Sequence, residues 1–167
     1  KNFKVKCPTT YLSTIIFKNN TVIRLTLSFD VIAHQRNHIE LYGKKGSLIV
    51  PDPNMFGGSV YMCKKFGDPW REYKTRKMLL GKINIKTQSS RANESPTNAN
   101  YRGAGLAEMA YCIQNKKRHR CNGELSLHVL DIIQSTMKAA KTQKSQKIKT
   151  TCKIPKYFSE KEIKKLL

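Results

Sequence analysis

Residues 21–31 restrict the fold more than any other stretch. Ile23, Leu25, Leu27, Phe29 and Val31 alternate with Arg24, Thr26, Ser28 and Asp30. A period of two gathers all five apolar side chains on one face of an extended strand, which no helix can do. Residues 9–17, Thr-Thr-Tyr-Leu-Ser-Thr-Ile-Ile-Phe, supply a partner strand, and Lys18-Asn19-Asn20 has the composition of a connecting turn. The expectation is an antiparallel hairpin with one buried face.

Two more pairs follow. Strands are expected at 38–42 and 47–50, joined by Gly43-Lys44-Lys45-Gly46, and Pro51-Asp52-Pro53-Asn54 ends the second. Gly57-Gly58 marks a turn, and residues 59–65 and 70–74 form a hairpin around Gly67-Asp68-Pro69. Residues 76–100 show no sustained period; so long a loop is usually functional or crosses a partner. After residue 100 the period changes. Leu106, Met109, Ala110 and Ile113 predict an amphipathic helix over 102–116. A second helix starts at the N-cap Asn122, with Glu124 in its first turn. Its wide apolar arc, Leu125, Val129, Leu130, Ile132, Ile133 and Met137, predicts a well-buried helix. Residues 148–152 read as a last strand. Strands first and helices after give an α+β fold: an open, mainly antiparallel β-sheet with helices packed on one face. The domain runs over residues 8–153 and a Lys-rich tail over 154–167.

Composition narrows the function classes. The chain has 167 residues with 39% hydrophobic, enough for one domain with a core. No run approaches the roughly 20 apolar residues of a membrane span, so no membrane partner is expected. The start, Lys-Asn-Phe-Lys-Val-Lys-Cys-Pro, lacks the apolar core of a signal peptide, and without an initiating Met the chain reads as a piece of something longer. Five cysteines, none within four positions of another, argue against a disulfide scaffold or a zinc ribbon and for a cytoplasmic location. The net charge of +21 favours anionic contacts. Lys outnumbers Arg 24 to 8, however, and the charge is spread along the whole chain. Nucleic acid is therefore disfavoured as a partner, because base readers rely on Arg beside stacking aromatics.

The chemical motifs are incomplete. Gly103-Ala104-Gly105-Leu106-Ala107-Glu108 nearly matches Gly-x-Gly-x-x-Gly. Glu108, however, stands where the third glycine belongs, and no strand is expected before it. A helix start with small residues at a close backbone approach explains it better. Asp30 and His34 are four apart, which on a strand is about 13 Å, so they make no acid–base pair without a bend. His128 falls mid-helix and reads as a hydrogen-bonded structural residue. No metal spacing and no nucleophile elbow is present.

Several segments together carry a resemblance. They are Ser28-Phe29-Asp30-Val31, then Ile39-Glu40-Leu41-Tyr42-Gly43-Lys44-Lys45-Gly46-Ser47-Leu48-Ile49-Val50-Pro51-Asp52-Pro53-Asn54, then Phe56-Gly57-Gly58. Tyr101-Arg102-Gly103-x-Gly105-Leu106-Ala107-Glu108-Met109-Ala110 follows, then His119-Arg120 and Gly123-Glu124-Leu125-x-x-His128-Val129-Leu130-Asp131. From about residue 8 to 153 the chain resembles the C-terminal domain of the Gfo/Idh/MocA family of NAD(P)-dependent oxidoreductases. The resemblance implies a two-domain enzyme acting on sugars, polyols such as inositols, or related hydroxy/keto compounds. An N-terminal Rossmann domain would bind NAD or NADP. The C-terminal sheet would cover the active site, help select the substrate and pair subunits into a homo-oligomer.

The departures are equally specific. The glycine-rich loop is absent, and so is the lysine of the family's Glu-Lys-Pro motif; Glu160-Lys161-Glu162 lies elsewhere and lacks the proline. Asp30 and His34 copy the spacing of its Asp-x-x-x-His motif in the wrong setting, so that role is not carried over. No catalytic, cofactor-binding or metal residue is therefore assigned, and the chain alone is expected to be inactive. The candidates for facing a sugar-like molecule are His34, Arg36 and His38 after the second strand, and Tyr101 and Arg102 at the first helix start. The rival expectation is a non-catalytic basic module that binds nucleic acid or another polyanion.

Overall fold

The structure is a computed structural model that describes residues 4–84, 98, 99 and 101–166. The fold class is α+β, antiparallel sheets first and helices after, as the change of period predicts. Two compact units are present, Lys1–Gln35 with Asn122–Ile154, and Arg36–Cys121 with Pro155–Leu167.

In the first unit, β1 (Thr10–Ile16) and β2 (Val22–Ser28) form the expected antiparallel hairpin, paired from Thr10–Ser28 to Ile16–Val22. The second strand stops short of residue 31, however, and the face expected to be buried is largely exposed at Ile23, Leu27, Phe29 and Val31. Asn20 makes the turn at a φ of 64°, a conformation asparagine tolerates, and Asn19 Oδ1 accepts from the Thr21 amide at 3.1 Å. At the open end the Asp30 carboxylate accepts the hydroxyls of Thr10 (2.6 Å) and Thr9 (2.5 Å), which lower its pKa. Asp30 thus clasps the end of the hairpin.

The long helix of this unit, here α2 (Gly123–Thr142), begins as expected: Asn122 Oδ1 accepts from the Leu125 amide at 3.2 Å. Its burial differs from expectation. None of its residues is buried, and Leu130, Ile133 and Met137 are 48–50% exposed. The half-buried stripe is the mixed one, Leu125, His128, Asp131, Ile132, Ser135 and Thr136, at helical spacing. The returning chain bonds to that stripe. Asp131 Oδ2 accepts from the amides of Lys149 (2.8 Å) and Thr150 (2.9 Å) and from the Thr150 hydroxyl (2.9 Å). The Thr150 amide leads the causes that lower the Asp131 pKa.

The same contacts correct the expected strand at 148–152, which is not formed. Two of its amides bond to a helix carboxylate and so cannot serve a ladder. The single Thr150 hydroxyl proton goes to Asp131, so the nitrogen 3.0 Å away, His128 Nδ1, carries the proton it shares with Thr150. Asp131→Ala is expected to speed exchange of the Lys149 and Thr150 amides about tenfold, with β1 and β2 unchanged, when followed by NMR hydrogen exchange.

The second unit holds a four-stranded antiparallel sheet in sequence order. Its strands are β3 (Ile39–Gly43), β4 (Gly46–Val50), β5 (Ser59–Cys63) and β6 (Arg71–Lys74). The register sets Leu41, Leu48 and Met62 in one row and Glu40, Ile49, Tyr61 and Glu72 in the next, which faces the opposite side. Asn37 Nδ2 at 2.7 Å and the Tyr42 hydroxyl at 2.8 Å donate to the Glu40 carboxylate and lower its pKa.

A 3-10 turn (Pro53–Met55) follows β4. β7 (Ile83–Asn84) pairs in parallel with β8 (Asn98–Ala99). Of the expected loop, residues 85–97 and 100 lie outside the described residues. The predicted first helix is α1 (Ala104–Gln114), and α3 (Glu160–Leu166) rises within the Lys-rich tail. Ala104, Glu108 and Cys112 of α1 and Ile163 of α3 are buried, and the two helices touch.

Candidate functional site

The site grows from the turn after β4. Asp52 caps the 3-10 turn, its Oδ1 accepting from the Asn54 amide at 2.9 Å. Phe56 then sits at φ 62°, ψ −74°, with the Gly57 amide bonded to the Met55 carbonyl at 2.8 Å. This one-residue γ-turn is strained for a bulky L-residue. Tight backbone packing holds it. A Cβ on Gly57 would strike the Gly81 carbonyl oxygen, and one on Gly81 would strike the Thr75 carbonyl oxygen. The Thr75 hydroxyl lies 2.8 Å from the Gly58 carbonyl and 2.7 Å from that of Gly81, and it accepts from the Gly58 amide at 3.0 Å. Only glycine fits at 57 and 81.

The strained turn presents two side chains to the start of α1. The Phe56 and Tyr101 rings lie 5.2 Å apart at 49°. Arg102 Nη1 donates to Asn54 Oδ1 at 2.7 Å. Two expected candidates, Tyr101 and Arg102, are thereby joined to Asn54 and Phe56. An aromatic pair beside a guanidinium and an amide can cover a carbon skeleton and hydrogen-bond its hydroxyls.

The remaining candidates are placed differently. Arg36 and His38 lie exposed on the approach to β3, where the Arg36 charge helps hold Glu40 ionised. His34 belongs to the first unit. Asn54, read only as part of a strand terminator, and Phe56, named only in a segment that carries the resemblance, are site residues that the sequence reading passes over. Their signal is the run Pro51-Asp52-Pro53-Asn54 leading to Phe56-Gly57-Gly58.

Behind the site lies an ionic knot. Glu108 is 3% exposed, and its carboxylate accepts from the Arg120 amide (3.1 Å) and from Arg120 Nη1 (3.1 Å). Arg120 Nη2 donates to Glu162 Oε1 at 2.8 Å. That bond, with the Ser159 amide and hydroxyl, lowers the Glu162 pKa to about 2. Burial and the neighbouring Glu108 push the Cys112 thiol up. Because the Glu162 value lies below its usual 4.5, its contribution is complete above pH 4.5 and is lost as pH falls toward 2. An acid titration followed by hydrogen exchange is expected to release residues 156–166 in that window.

The glycine motif does not fit a dinucleotide. A two-residue strand, Asn98–Ala99, does precede it, contrary to expectation. Yet a Cβ on Gly103 or Gly105 would meet nothing within 4 Å, so no close backbone approach occurs there; the close-packed small residue is Ala104. Glu108 puts a buried carboxylate at the position of the third glycine, which such a fold needs for close helix–strand packing. Among the described residues no group of three or more His, Cys, Asp or Glu could hold a metal, and no helix is long and apolar enough to cross a membrane.

A search of curated proteins and one of solved structures give no match. The family described as "Oxidoreductase family, C-terminal alpha/beta domain" matches residues 6–150. That span contains the four-stranded sheet, the strained turn and the Tyr101–Arg102 helix start. The chain belongs to the Gfo/Idh/MocA oxidoreductase family, of which it is the C-terminal domain.

Proposed function

We propose that the chain is the substrate-side and oligomerisation domain of an NAD(P)-dependent oxidoreductase acting on a sugar, polyol or related hydroxy/keto compound in the cytoplasm. The observation that carries this reading is the meeting of Asn54 and Phe56 with Tyr101 and Arg102 inside a domain of that family. NAD or NADP would supply the hydride chemistry from an N-terminal Rossmann domain, and this chain binds no cofactor by itself. Phe56 and Tyr101 would cover the apolar face of the substrate, while Asn54 and Arg102 would orient its hydroxyls. His34, Arg36 and His38 are further candidates for facing a sugar-like molecule. The exposed apolar positions of the sheets would be covered by a second copy.

Calorimetric titration with a panel of sugars and inositols tests the reading. At least one is expected to bind, and Arg102→Ala to weaken it about tenfold or more, the size of one charged hydrogen bond. No binding by any panel member, or equal binding by the variant, contradicts it.

A specific observation favours the polyanion reading as second. Lys138, Lys141, Lys144, Lys147, Lys149 and Lys153 are all exposed. Within the denser basic run, Arg120 serves the knot and Lys117 lies 5.3 Å over the Tyr111 ring. Nucleic-acid binding that persists with sequence preference at about 0.2 M salt supports that reading. Binding that simply fades with salt removes it.

A further inference from the structure

We propose that residues 155–166 act as a latch on α1, holding the Tyr101–Arg102 end of the candidate site in its working orientation. The inference rests on the reading of that end as substrate-facing. The family match covers residues 6–150, so residues 155–166 lie outside the matched span.

Arg120 makes the attachment from both sides. Toward α1 it bonds the buried Glu108, one helical turn beyond the buried Ala104. Toward the C-terminus its Nε donates to the Lys156 carbonyl at 2.7 Å and its Nη2 to the Tyr157 carbonyl at 3.3 Å. The same guanidinium lies 4.0 Å from the centre of the Phe158 ring. Ser159 and Glu162 start α3 as a reciprocal capping box: the Ser159 amide and hydroxyl donate to Glu162 Oε2 at 2.8 Å, and the Glu162 amide donates to Ser159 Oγ at 3.3 Å. Glu162 therefore starts α3 with one oxygen and ties it to Arg120 with the other.

The latch also reaches the other element that supports the site. Tyr157, Phe158, Ser159 and Glu160 form one wall of an open apolar groove of about 710 Å³. Met78, Leu79 and Leu80 line the same groove, next in sequence to the Gly81 that backs the Phe56 turn. Its hold is a few polar points and one buried apolar side chain, Ile163, with Tyr157 90% and the Glu162 side chain 45% exposed. A segment so attached can open while the four-stranded sheet stays closed.

The test is hydrogen exchange on the full chain and on the double variant Phe158→Ala, Glu162→Gln, which leaves the Glu108–Arg120 pair in place. Exchange is expected to rise at least tenfold over residues 156–166 and severalfold over 101–112, with β3 to β6 unchanged. A rise confined to 156–166 overturns the proposal, because the segment would then be released without loosening α1. No rise anywhere overturns the attachment itself. A rise that includes β3 to β6 overturns it too, since the segment would be core and not latch. The readout needs no ligand, so a failure of the sugar titration bears on the site reading alone.

Discussion

Arg120→Ala is expected to lower the opening free energy of α1 by about 3–5 kcal/mol, the cost typical of removing one partner from a buried ion pair. The Glu108 side chain is 4% exposed, so its carboxylate cannot turn to water when the guanidinium goes. The Arg120 amide remains to it, but the charge is left uncompensated. Amide exchange in α1 should accelerate between a hundredfold and several thousandfold, at about 1.4 kcal/mol per factor of ten. Arg120→Lys should recover little, because one ammonium cannot serve Glu108, Glu162 and two backbone carbonyls from a planar fork. Replacing both Glu108 and Arg120 by Leu should recover much of the loss, since the desolvated charge disappears with its partner. Exchange in the single variant within a factor of three of the parent would contradict the placement of Glu108.

Gly81→Ala is expected to destabilise the second unit by the upper end of the ~1–3 kcal/mol that overpacking costs. The added methyl meets the Thr75 carbonyl, and backbone has no rotamer by which to yield. Thr75, Gly58 and Gly57 would have to move together, and Phe56 with them. The single tryptophan, Trp70, lies beside β6 and reports this loss as a lower urea midpoint in fluorescence. Gly105→Ala provides the opposite sign: nothing lies within 4 Å of its Cβ position in α1, so the change should stabilise by about 0.5–1 kcal/mol. Equal effects at the two glycines would remove the tight turn from the account.

The elements legible in the sequence are those whose cause is local. The alternation at Ile23, Leu25 and Leu27 gives the first hairpin its strand, and Asn122 starts α2 where expected because its partner amide is three residues away. Residues 148–152 are misread because their amides meet Asp131, 18 and 19 positions earlier in the chain. The α2 arc misleads for a related reason, since the returning chain bonds the mixed stripe and leaves Ile133 and Met137 outside. α3 is too short to stand alone. Its Ser159-x-x-Glu162 cap is a readable signal, but Arg120, about 40 residues away, secures it.

The candidate site divides in the same way. Tyr101 and Arg102 stand at a readable helix start, whereas Asn54 and Phe56 become partners only because a strained backbone aims them there. No periodicity encodes a positive φ at phenylalanine.

Amide chemical-shift mapping of the full chain with its best-binding sugar or inositol tests the central claim most directly. The account predicts perturbations concentrated at residues 54–58 and 101–105, reduced by Arg102→Ala. Perturbations gathered instead on residues 138–153, or absent at millimolar ligand, would contradict a substrate-facing role for this site.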